Sequence, residues 1–172
     1  MLISPGLVYS KVMGQEEPMP TFQQLTSAIS KTTSGTFQPA ARADLTKLAR
    51  LGVPESILAF YREFEPEDCV EGQVRLWNIE HIVQENTDLT PGYVVQPLGY
   101  VVFATTLCGD TYCFDLTGSQ RGEIPIVLIS HETIGEGMTL DEVQKVAKPI
   151  ARSLNEFLQQ FASNEIDEEC IY

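Results

Sequence analysis

Cysteine and histidine are the residues in this chain best able to make and break bonds. There are four cysteines, Cys69, Cys108, Cys113 and Cys170, and two histidines, His81 and His131. A thiolate beside an imidazole is a nucleophile–base pair, so Cys108 or Cys113 with His131 is a conceivable hydrolytic arrangement. No local motif supports it. Ser130 directly precedes His131, but strand neighbours point to opposite faces and cannot pair without distortion. Cys108 and Cys113 lack a C-x-x-C spacing, and neither histidine sits near them in sequence, which argues against zinc. The Gly135-x-Gly137 spacing lies in a loop that no strand leads into directly, so it is no phosphate cradle. The run Glu65-Pro66-Glu67-Asp68 lacks the alternating ligands and central glycine of a calcium loop. These readings assign no catalytic residue, no metal and no cofactor, and the chain is expected not to be an enzyme.

The carboxylates point elsewhere. Acidic side chains number 24 against 11 basic ones, giving a net charge of −13 and a pI near 4.4. Nucleic acid and anionic membrane surfaces repel such a chain, whereas a basic protein is drawn to it. The candidate partner-binding residues are therefore Glu63, Glu65, Glu67, Asp68 and Glu71 in one acidic run, with Asp115 added from a hairpin. The plainer role of each is a solvated surface charge, and Asp115 can instead hydrogen-bond a nearby backbone group or hydroxyl. The start, Met1 to Met13, has no basic residues ahead of an apolar run, and no stretch approaches the roughly 18 apolar residues of a membrane span. A cytoplasmic location and free thiols follow as expectations.

These residues need a scaffold. Phe22, Leu25 and Ile29 share one face of a short helix, followed by a loop from Ser30 to Pro39. A second helix over about 41–51 turns Leu45, Leu48 and Ala49 inward and stops at Gly52. Pro54 opens a third, with Ile57, Leu58, Tyr61 and Phe64 inside. Arg75 to Trp77 reads as a strand, and Asn78 as the N-cap of a helix over 79–84, with Trp77 and Ile82 as a hydrophobic staple.

Tyr93 to Leu116 is the clearest β signal. A two-residue turn at Gly109-Asp110 predicts that Leu107 faces Tyr112, Thr105 faces Phe114 and Phe103 faces Leu116. That register leaves Ala104, Thr106, Cys108, Thr111, Cys113 and Asp115 on a second face, open to solvent or a partner. It also sets Cys108 and Cys113 diagonally at about 7 Å, too far for a relaxed disulfide. Ile124 to Ser130 is a strand starting near Pro125. Thr139 and Glu142 form a capping box, with Met138 and Val143 as a second staple. From there Val143, Val146, Ile150, Leu154, Phe157 and Phe161 predict one long helix, kinked at Pro149. The class is α+β: a mostly antiparallel sheet with a central hairpin, flanked by helices and closed by a long C-terminal helix. The expected organisation is an N-terminal extension over 1–40, the domain over 41–162 and an acidic tail over 163–172.

Four segments taken in order resemble SMI1/KNR4-like (SUKH) domains. They are Leu51-Gly52-Val53-Pro54 with Phe60-Tyr61; Gly99 to Ala104 with Gly109 to Asp115; Pro125 to Leu128 with Ser130-His131-Glu132; and Val146-Ala147 to Phe157-Leu158. Glu65-Pro66 departs from the asparagine–glycine turn of many members. The resemblance implies an α+β fold and a role in binding proteins. Many bacterial members are immunity proteins that neutralise a cognate toxin, often a nuclease, by binding it, and fungal members act as regulatory scaffolds. It carries over no shared catalytic or metal site.

Overall fold

The structure is a computed structural model that describes residues 19–119 and 122–166. The readings made for Met1 to Met13, for Cys170 and for the end of the tail lie outside the described residues.

Helix α1 (Phe22–Thr32) starts at a capping box, in which Thr21 and Gln24 satisfy each other's backbone N–H groups. Strand β1 (Thr36–Gln38) follows, where a loop is expected, and then α2 (Arg42–Arg50) and α3 (Glu55–Glu63). Leu48 is fully buried on α2, but Ala49 is exposed, because the helix presents only a narrow stripe to the core. Strand β2 (Glu65–Glu67) pairs with β1 in a small antiparallel sheet. Next come β3 (Val70–Glu71), β4 (Val74–Leu76) and α4 (Ile79–Thr87). A short α5 (Gly92–Val95) leads into β5 (Tyr100–Thr106), β6 (Thr111–Asp115) and β7 (Ile126–Ile129). Helix α6 (Leu140–Val146), β8 (Lys148–Ala151) and α7 (Leu154–Ala162) complete the described chain.

The second sheet has six strands in simple sequence order, β3 to β8, each antiparallel to the next. Both faces are covered. One carries Val101, Phe103, Tyr112, Phe114, Ile126 and Leu128 against α7, on which α1 packs in turn, with Phe103 and Phe114 stacked at 4.2 Å. The other carries Tyr100, Val102, Cys113, Val127 and Ile129 against Val95 and Val143. The architecture is therefore α+β with a buried central sheet, as the order of elements predicts.

Three expectations need correction. The loop between β5 and β6 holds Leu107, Cys108 and Gly109, not two residues. Gly109 N–H donates to Thr106 O (3.2 Å), Thr106 N–H donates to Asp110 O (2.8 Å), and Gly109 takes φ +98°. This is a three-residue turn with glycine in the left-handed position. The pairs become Thr105 with Thr111, Ala104 with Tyr112 and Val101 with Phe114, with a bulge at Phe103 that turns both Phe103 and Ala104 to the same core. Second, the face expected to be open is closed, since Thr111 and Cys113 are 1% and 0% exposed. Third, the long final helix is two helices separated by an edge strand. Pro149 has no N–H to donate and disfavours helical backbone at the preceding residue. The chain leaves α6 at Ala147 (ψ 117°) and pairs with β7 instead.

That edge strand is guarded against further pairing. Pro149 lacks a donor, Ile150 O accepts from Gln160 Nε2 (3.5 Å), and the Arg152 N–H that follows is taken by Glu156 (2.7 Å). The opposite edge, β3, is two residues long.

Candidate functional site

The acidic run is structured, because its alternating residues find partners. Pro66 is buried opposite Phe37 in the small sheet, and its acidic neighbours are turned away. Glu65 reaches the start of α4, where Ile79 N–H donates to its Oε1 at 2.8 Å. A carboxylate suits this place, since the first N–H groups of a helix have no partners of their own. Burial nonetheless pushes the Glu65 carboxyl above its ordinary range, with the Ile79 N–H opposing the shift. Asn78 caps the same helix: His81 N–H donates to Asn78 Oδ1 (3.1 Å), and Asn78 Nδ2 donates to Glu67 Oε2 (3.1 Å). His81 Nδ1 also lies 2.8 Å from Asn78 Oδ1. An amide oxygen only accepts, so this nitrogen carries the proton.

The β3–β4 hairpin supplies the other wall. Glu71 faces Val74 across a two-residue turn, with Gly72 at φ +55°, and the ladder continues as Leu76 N–H donates to Cys69 O (3.0 Å). Asp68, at φ +52°, thereby shares a groove of about 100 Å³ with Trp77. Glu67, Arg75 and His81 line the same groove. The Arg75 guanidinium lies 5.2 Å from the Trp77 ring centre, and His81 stacks on that ring at 4.8 Å with 11° between planes. Trp77 packs on the core as the staple predicts, but it also faces the groove. Its indole N–H is buried without an acceptor among the described residues.

Of the six sequence candidates, Glu67 and Asp68 line this groove, and Glu65 lies at the start of α4. Glu63 ends α3 and is exposed. Glu71 borders a different recess, with Phe161 and Ile166. Asp115 ends β6 and binds locally: Thr117 N–H (2.9 Å), Thr117 Oγ1 (2.6 Å) and Gly118 N–H (3.1 Å) all donate to its Oδ1. Arg75 and His81 are not among the sequence candidates, and the sequence gives Trp77 a structural role ahead of a ligand-stacking one. The N-cap at Asn78 was the available signal, since it fixes the helix start that brings Trp77 and His81 together.

The two thiols weighed with His131 stand in different surroundings. Cys113 is fully buried, and desolvation pushes its thiol up to about 12. Cys108 is exposed in the hairpin loop, with its Sγ 3.6 Å from Gln73 Oε1. His131 is engaged by Asp110, whose Oδ1 accepts from His131 N–H (3.2 Å) and lies 2.9 Å from Nδ1. Cys69, Cys108 and Cys113 form no disulfide among the described residues. Among the described residues no group of histidine, cysteine and carboxylate side chains is arranged to hold a metal ion, and no helix is long and apolar enough to cross a membrane.

No curated protein matches the chain. A family model described as the SMI1 / KNR4 family (SUKH-1) matches residues 39–160. The matched span begins just after β1 and ends within α7, so it contains the whole central sheet and the groove. The chain belongs to the SMI1/KNR4 (SUKH-1) family.

Proposed function

We propose that this chain is a protein-binding module, an immunity-type protein that neutralises a cognate toxin domain by direct binding. The observation that carries the reading is the ledge formed by Glu67 and Asp68 beside Trp77 and His81. It joins negative potential to a part-buried aromatic, the combination that makes encounter fast and a complex long-lived. A basic partner fits the net charge of −13, and a nuclease active site is commonly basic to hold phosphate.

The test is co-expression with the product of the adjacent gene. Rescue of growth together with a stable co-purifying complex supports the reading. Growth arrest with this chain abundantly present defeats it. Association should also slow as salt rises, because screening shortens the reach of the charges.

A further inference from the structure

We propose that the groove between the β2–β3 connection and the start of α4 anchors an arginine side chain projecting from a basic protein partner. The inference rests on the protein-binding reading above and gives it a contact. Three features specify the occupant. A space of about 100 Å³ is well below the roughly 300–1,000 Å³ of small-molecule sites, so it suits one side chain rather than a metabolite. The Trp77 ring already carries a guanidinium, that of Arg75 at 5.2 Å, which shows that a planar cation can reach it. The charge at the groove is also unbalanced. The lining carboxylates Glu67 and Asp68 outweigh Arg75 and the roughly half unit of positive charge at a helix N-terminus, which Glu65 already offsets by accepting the Ile79 N–H.

Arg75 acts here as an internal stand-in. It is exposed and forms no ion pair among the described residues, so an incoming guanidinium displaces only a weak contact. Asp68 is exposed at the groove wall with no hydrogen bond among the described residues, and it is the carboxylate freest to receive the newcomer. Arginine is favoured over lysine because its flat, weakly hydrated head stacks on indole while its edge meets carboxylates.

Trp77 is the sole tryptophan of the chain, so its emission reports the groove directly. The experiment titrates the full chain with acetyl-Gly-Arg-Gly-amide, with the same peptide carrying neutral citrulline in place of arginine, and with inorganic phosphate. The expected result is a saturable emission change with the arginine peptide in the millimolar range. D68N should weaken it about fivefold, as the loss of one charge at a partly solvated contact does. R75Q should bind more tightly, because the stand-in is gone. No saturable change, an equal response to citrulline, weaker binding by R75Q, or a response to phosphate alone would each overturn the proposal. Co-expression distinguishes the two levels: rescue and complex formation unaffected by D68N and W77F would leave partner binding standing and remove this groove from it.

Discussion

Asn86 completes the hydrogen bonding of Val102. Its Nδ2 donates to Val102 O at 2.8 Å, and its Oδ1 accepts from Val102 N–H at 2.9 Å. Strand β4 ends at Leu76, opposite Ala104, so the backbone of Val102 lies beyond the reach of that ladder. A side chain on α4 acts as the missing strand. Asn86 is 3% exposed, so neither it nor Val102 has water as an alternative. Replacing it with alanine leaves two buried backbone groups unpaired, at ~1–3 kcal/mol each. N86A should therefore lose about 2–6 kcal/mol in urea unfolding, with α4 and β5 losing amide-exchange protection together. A loss below about 1 kcal/mol would mean that the strand finds another partner.

Glu65 makes a different kind of prediction, because its charge and its hydrogen bond oppose each other. Its Oε1 accepts the Ile79 N–H, while burial raises its pKa. Glutamine keeps an accepting oxygen and carries no charge to desolvate. E65Q should match or exceed the parent in Tm at pH 7, whereas E65A should lose about 1 kcal/mol, the usual value of a helix cap. The sign with pH follows from the raised value. The folded state takes up a proton before the unfolded state does, so the penalty on the parent is present above the folded pKa. It fades as pH falls through that range towards the unfolded value. The Tm gap between E65Q and the parent should close on acidification, and a gap that widens instead would show the charge to be stabilising.

Local signals were legible wherever one residue type answers one local need. Asn78 as a cap, the Thr139–Glu142 box and Gly52 at a helix end all stand where their chemistry requires. Long-range consequences were not. A helical period through Ala147 and Ile150 is compatible with a helix or with an edge strand flanked by helices, and only Pro149 separates the two. The hairpin register turned on whether Gly109 is the first residue of a two-residue turn or the last of three. The glycine-first, two-residue turn of this chain lies instead at Gly72-Gln73. Within the site, the acidic run was visible, but its division was not. Pairing with β1 decides which carboxylates turn towards Asn78, and that pairing spans almost thirty residues.

The thiols should respond to alkylation according to their surroundings. Cys69 and Cys113 are both buried, with desolvation pushing their pKa values to about 11 and about 12. The thiolate is the reacting form, so both should resist iodoacetamide at pH 7.5 in the folded protein. Among the three described thiols Cys108 is the exposed one and should be labelled first of them. Peptide mapping after brief labelling should find an adduct on the Cys108 peptide and none on those of Cys69 and Cys113, whose modification should appear only in denaturant. Early labelling of Cys113 would show that the face of the sheet over α6 opens readily.

The hairpin loop is held from outside by His131. Gly109 takes φ +98°, and a Cβ placed there would lie 3.4 Å from His131 Nδ1, so the ring rests over the turn. Asp110 ties that ring down through its Oδ1, which also accepts the His131 backbone N–H. Two variants separate geometry from charge. D110N retains an oxygen able to accept the backbone N–H and should cost less than D110A, which leaves that donor without its partner at ~1–3 kcal/mol. G109A should be destabilising through backbone strain alone, by about 1 kcal/mol or more, because a left-handed position disfavours any Cβ. If His131 is what holds the loop, H131A should increase amide exchange at Leu107 to Asp110 while β7 keeps its protection. Unchanged exchange in that variant would place the restraint in the turn itself.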